Sequence, residues 1–165
     1  MPSLRKVLKK KNYVKIKLKK IATNHLELKA KINGVKGRFI LDTGASNSCV
    51  GLDVIDYFML DAEVSETKAA GAGATGMETK KSTDNTMQIG KWKTIESHLV
   101  LFDMAHVNAA LIQHYANEVH GIIGADILEK GKAIIDYDKL YLYLKKELIY
   151  KRKSSKKKDH NEIPF

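Results

Sequence analysis

Short runs of alternating apolar and polar residues dominate this chain. From Tyr13 to Leu18, Tyr13, Lys15 and Lys17 fall on one side and Val14, Ile16 and Leu18 on the other, the pattern of a half-buried strand. Leu26, Leu28, Ala30 and Ile32 then alternate with Glu27, Lys29 and Lys31. Asn33-Gly34 follows, a strong hairpin signal, and residues 35–41 return as a strand that ends apolar on Phe39-Ile40-Leu41. The spacing of Val54, Ile55, Phe58 and Met59 predicts a helix over 53–60 with Asp53 as its N-cap. Met87, Ile89, Gly90 and Trp92 predict a second hairpin, and 95–102 a strand. Residues 105–115 read as a helix or an irregular excursion. Ile122-Ile123-Gly124 is a short buried strand ending in glycine, 125–130 a short helix, and 133–137 with 140–144 a closing hairpin across Asp138-Lys139. Many short strands, few helices and no repeat predict a mostly β fold.

The chain has 165 residues, enough for one domain with a hydrophobic core. It is too short for two large lobes with a site between them, unless it pairs with a copy of itself. No apolar run approaches a membrane span, and the basic start lacks the apolar core of a secretory signal. The single cysteine, Cys49, excludes an intrachain disulfide and reads as a small core residue. A cytoplasmic protein is therefore expected.

The net charge of +10 is unevenly placed. Residues 1–20 hold nine Lys or Arg and no acid, and 145–165 hold eight against three acids, whereas 21–144 is mildly acidic. This divides the chain into a basic N-terminal strand or extension (1–20), a domain (21–146) and a basic, disordered tail (147–165). Lysine-rich ends keep strand edges and termini soluble. Nucleic-acid binding by those ends is the less favoured reading, because aromatic residues are sparse there and no nucleic-acid motif is present.

The segment with the most chemistry in it is Phe39-Ile40-Leu41-Asp42-Thr43-Gly44-Ala45-Ser46. An apolar strand delivers a carboxylate directly into a tight turn, where Gly44 lets the backbone come close. This segment resembles the active-site loop of retropepsin-like (retroviral-type) aspartic proteases. Farther along, His120-Gly121-Ile122-Ile123-Gly124-Ala125-Asp126-Ile127-Leu128 resembles that family's hydrophobic-hydrophobic-Gly segment and following helix. Between them lies the glycine-rich 71–76, where the family places a β-hairpin flap. Residues 133–144 are similar to the closing strands of bacterial single-domain members, so the resemblance covers about 22–146.

The resemblance implies a closed acid-protease barrel, one lobe per chain, with one or two short helices. It implies aspartic endopeptidase activity with Asp42, Thr43 and Gly44 in the catalytic loop. Ala45, Ser46, Gly71, Ala72, Gly73, Ala74, Ile122 and Ile123 would form the substrate-binding and flap surfaces, Ala45 and Ser46 also bracing the loop by hydrogen bonds. Gly124 and Asp126 would be structural, Asp126 in the first turn of its helix. No cofactor or metal is implied. Aspartic proteases need two carboxylates sharing a proton, and this chain has a single Asp-Thr-Gly, so the second must come from a homodimer. Thr43 would clamp the two loops across the two-fold axis. Retroviral members carry Arg where this chain has Ala125, so the interface here is held differently. Peptide or protein is the expected substrate, and a non-catalytic, dimeric peptide-binding or scaffold module of the same fold is the alternative.

Other motifs weigh less. Gly71–Gly76 matches G-x-G-x-x-G, but a polar segment precedes it and no apolar helix follows, so dinucleotide binding is set aside. A sugar-kinase-like phosphate loop at 42–47 would need a longer, two-domain chain. Ser46 and Ser48 lack the setting of a nucleophile. The histidines at 25, 98, 106, 114, 120 and 160 show no metal-ligand spacing, and His120 is expected at the surface. Trp92 is a packing anchor, and Asp136 and Asp138 are turn residues.

Overall fold

A computed structural model describes residues 1–65, 69–71 and 74–147, with the backbone alone at 69–71 and 74–77. The strands are β1 (Tyr13–Lys17), β2 (Lys19–Lys20), β3 (Leu26–Ile32), β4 (Val35–Leu41), β5 (Cys49–Gly51), β6 (Glu63–Val64), β7 (Ala69–Gly71), β8 (Ala74–Met77), β9 (Lys80–Ile89), β10 (Trp92–Phe102), β11 (Gly121–Ile123), β12 (Ile134–Asp136) and β13 (Tyr141–Lys145). The helices are α1 (Leu4–Lys10), α2 (Ala105–Gln113) and α3 (Ala125–Lys130). The expected tail lies outside the described residues from 148 onward.

Six strands close a barrel in the order β3-β4-β11-β5-β10-β9, and Lys31↔Gln88 and Ile32↔Met87 join β9 back to β3. The Asn33-Gly34 turn has positive φ at both residues (50° and 81°), the twist a two-residue hairpin needs. Asn33 also helps to close the barrel. Its amide donates to the Phe58 carbonyl (3.0 Å) and to Asn85 Oδ1 (2.9 Å), and its oxygen accepts from the Thr86 N–H (3.0 Å). A separate sheet, β1-β13-β12, packs Ile16, Leu142 and Leu144 against the barrel.

Alternation along β4 explains its apolar end. Phe39 and Leu41 join the barrel core with Phe58, Trp92 and Ile123, while Ile40 joins an outer cluster with Cys49, Phe102, Met104 and Leu111 of α2. A strand buried on both faces reads as a continuous apolar run. Trp92 is buried and donates its indole N–H to the Lys145 carbonyl (3.1 Å).

Three expectations need correction. Residues 4–10 form a helix: the Ser3 hydroxyl caps it by accepting from the Lys6 N–H, and Leu8 turns inward. Among the described residues the α-helices thus number three. Residues 53–60 do not form a regular helix. A 3₁₀ turn at Leu52–Val54 runs into turns, Met59 has φ +54°, and the Leu60 N–H reaches the Ile55 carbonyl (2.9 Å). Burying Phe58 against Phe39 inside the barrel, with ring centres 6.1 Å apart, overrides the weak helical preference of Val54 and Ile55.

Candidate active site

Asp42 is the first residue beyond β4, and the topology decides where it points. β11 is threaded between β4 and β5, parallel to β4 (Ile122↔Ile40, Ile123↔Leu41) and antiparallel to β5 (Ile122↔Cys49). The Asp42 N–H donates to the Ile123 carbonyl (3.0 Å), so the last ladder bond of the pair anchors its backbone. Its side chain is exposed, and its Oδ1 accepts the Gly44 N–H (2.8 Å). The Ala45 N–H returns to the Asp42 carbonyl (3.2 Å) and closes the turn. A solvent-facing carboxylate is thus held by main chain on both sides, with Thr43 and Gly44 exposed beside it.

A second layer fixes this turn from below. The Ala125 N–H donates to the Ala45 carbonyl (2.7 Å). Gly124 sits so close that a Cβ there would lie 2.6 Å from the same oxygen. Ser48 is fully buried; its hydroxyl accepts the Gly124 N–H (2.9 Å) and donates to Asp126 Oδ1 (2.7 Å). Asp126, in the first turn of α3, also accepts the N–H groups of Ser48 (2.9 and 3.0 Å to its two oxygens) and Ile127 (2.9 Å). Its carboxylate is committed to holding the loop.

The residues expected to bind substrate separate. Ala45 is half-buried and Ser46 exposed, and the hydroxyl that braces the loop belongs to Ser48. Ile123 is fully buried in the barrel and presents no surface to a ligand; its contribution is the carbonyl that holds Asp42. Ile122 is half-buried against the outer cluster. Gly71 and Ala74 pair in the β7–β8 hairpin, while Ala72 and Gly73 lie outside the described residues. Spacing alone could not reveal Ser48, because its partners lie 76 and 78 residues away.

Two titratable groups lie under the strands that carry the loop. Cys49 is buried, and burial pushes its thiol up to about 12; the nearby Asp126 and Asp42 charges add to this, against the lowering effect of a hydrogen bond with the Ile122 backbone. His120 is not simply a surface residue. Its Nδ1 accepts the Arg38 backbone N–H (3.0 Å), its backbone N–H donates to the Arg38 carbonyl (2.9 Å), and Tyr57 stacks on its ring at 5.2 Å. Burial, then the Arg38 charge, lowers its pKa. Among the described residues no cluster of His, Cys, Asp or Glu could hold a metal ion.

A family model described as aspartyl protease matches residues 28–127. A crystal structure of a retropepsin-like aspartic protease from Rickettsia conorii superposes with a TM-score of 0.52 at 19% identity, covering 80% of this chain and 89% of that one. The EIAV protease complexed with the inhibitor HBY-793 superposes with a TM-score of 0.51 at 19% identity, covering 67% and 90%. Identity this low establishes a common fold, the retropepsin-like single lobe. Among curated proteins, no sequence relative matches.

Proposed function

We propose, given that the chain belongs to the aspartyl protease family, that it is an aspartic endopeptidase acting as a homodimer. The observation that carries this reading is the Asp42 carboxylate, exposed to solvent yet held by the Ile123 carbonyl at its backbone and the Gly44 N–H at its side chain. One chain supplies one such group, since the oxygens of Asp126 are engaged by Ser48 and Ile127. A second copy related by a two-fold axis would bring its own Asp42 alongside.

Two carboxylates so close cannot both ionise, and they titrate as a pair. The ionised one takes a proton from a water, whose oxygen attacks the scissile carbonyl carbon. The protonated one donates a hydrogen bond to the carbonyl oxygen as charge develops on it. The carboxyl that took the water's proton delivers it to the amide nitrogen, the C–N bond breaks and the amine leaves. Thr43, exposed beside Asp42, would bond across the two-fold axis and lock the two turns together. Substrate would lie extended under the β7–β8 hairpins, its backbone pairing as an added strand, and hairpin movement would gate entry. Among the described residues no helix is long and apolar enough to cross a membrane. A lone buried thiol suits the reducing cytoplasm, where we place the enzyme.

The test is cleavage of a denatured, unstructured protein from about pH 3.5 to 8, with wild type against Asp42→Asn and sedimentation run in parallel. Cleavage by wild type alone is the expected result. A dimer that binds extended peptides but cuts none at any pH would favour the non-catalytic module. An inactive monomer would refute constitutive dimerisation.

A further inference from the structure

A groove of about 1040 Å³ runs over β1 to β4, and its lining is strongly cationic: seven lysines and Arg38 against the single acid Glu27. Its position follows from alternation. Leu28, Ala30 and Ile32 of β3 fill the barrel, so Lys29 and Lys31 stand on the outer side. The β3–β4 register then sets Lys29 opposite Arg38 and Lys31 opposite Lys36. Like charges directly across a ladder destabilise it. The chain does not offset them, because among the described residues the ion pairs are Lys81–Glu63 and Lys130–Glu96, both outside the groove. The Arg38 guanidinium is positioned by a bond to the Glu118 carbonyl (3.2 Å). The one acid of the lining, Glu27, is buried and stands opposite Lys19 in the β2–β3 register, so neither of the two β3–β4 cation pairs includes an acid.

The lining contains no Phe, Tyr or Trp, and its one imidazole, His120, is half-buried and already stacked on Tyr57, unlike the open aromatic platforms of single-strand nucleic-acid binders. Cations instead recur at every second residue along single strands: Lys15 and Lys17 on β1, Lys29 and Lys31 on β3, and Lys36 and Arg38 on β4. At about 3.3 Å per residue this is a pitch of about 6.6 Å. The same-face side chains of an extended peptide repeat at that pitch. We infer that the groove docks an extended acidic segment of a protein partner, with Asp or Glu at alternate positions. Arg38 lies on β4 four residues before Asp42, about 13 Å of extended chain away from it, and Lys36 lies farther. The site is thus distinct from the Asp42 loop and does not depend on catalysis there.

The test uses the full chain carrying Asp42→Asn and a fluorescent peptide of alternating glutamate and threonine, followed by anisotropy at low and high salt. A peptide of the same composition with its glutamates in one block, and an oligothymidylate, serve as competitors. Saturable, salt-sensitive binding that prefers the alternating peptide is expected. Lys29→Glu with Lys31→Glu should weaken it about tenfold or more, whereas the same charge change at Lys156 and Lys157 should alter it less than about twofold. Lys31→Glu alone should raise Tm by relieving repulsion with Lys36, which separates lost binding from lost fold. Equal losses from both pairs of changes would make the effect one of net charge and overturn the proposal. So would absence of saturable binding, or tighter oligothymidylate binding that is lost with Lys29→Glu and Lys31→Glu.

Discussion

Ser48→Ala removes one oxygen atom from beneath the Asp42 turn, and the structure sets what this costs. That oxygen accepts from the Gly124 N–H at 2.9 Å and donates to Asp126 at 2.7 Å, with Ser48 wholly shielded from solvent. The space vacated by a hydroxyl is too small to admit a water in its place. Gly124 cannot shift toward another acceptor easily, because it already packs against the Ala45 carbonyl and Asn47. An orphaned buried donor costs about 1–3 kcal/mol and a lost bond to a carboxylate about 1.5–3. Asp126 keeps the N–H groups of Ser48 and Ile127, so the two costs overlap and about 2–4 kcal/mol is expected. For a chain of this size that lowers Tm by about 5–15 °C. Urea unfolding measures the loss directly, with an unchanged m-value showing that the unfolded reference has not moved. Ser46→Ala, at an exposed position of the same loop, should stay within about 0.5 kcal/mol of wild type. In cleavage assays Ser48→Ala should reduce kcat more than it raises KM, because it loosens the carboxylate rather than the substrate contacts. A Ser48→Ala protein as stable as Ser46→Ala would refute the claim that this hydroxyl braces the loop.

Two further outcomes follow from the titratable groups. His120 has its pKa lowered in the folded chain, so the unfolded chain takes up the proton first as pH falls. Its stabilising contribution is full above the ordinary histidine value of about 6.5 and is lost as pH drops below it; His120→Gln should flatten the fall in urea midpoint between about pH 7 and 5. An unchanged pH slope would mean that burial and the Arg38 charge do not hold the ring neutral. Cys49, buried with its thiol pushed up to about 12, should resist iodoacetamide at neutral pH in the folded protein and react only in urea. Rapid labelling without denaturant, read by mass spectrometry, would show that the outer cluster opens around it.

The pattern along the chain was a good guide wherever structure depends on neighbours in sequence. Alternation in 26–32 and the Asn33-Gly34 pair marked the hairpin, and Ile122-Ile123-Gly124 with 125–130 marked the threaded strand and its helix. It was a poor guide where distant partners compete with local preference. The spacing over 53–60 is helical, yet Phe58 is drawn into the barrel and the segment turns instead. Asn33 reads as a turn residue, yet its side chain ties that turn to β9 and to the Phe58 turn. His120 looks like an isolated polar residue until Arg38, 82 positions away, donates to its ring.

The candidate site divides in the same way. That an acidic residue would leave an apolar strand through a glycine turn was legible, because turn chemistry is local: Asp42 and Gly44 are two residues apart, and the bond between them needs no third element. Which groups make that carboxylate rigid was not legible. Ile123, Ser48, Gly124 and Asp126 reach the turn only because β11 passes between β4 and β5. Strand order is a property of the closed barrel, set by the burial of many apolar side chains at once, and no window of the sequence contains it. The cationic groove has the same origin. The lysines are plain in the sequence, but only the β3–β4 register sets Lys29 against Arg38 and Lys31 against Lys36.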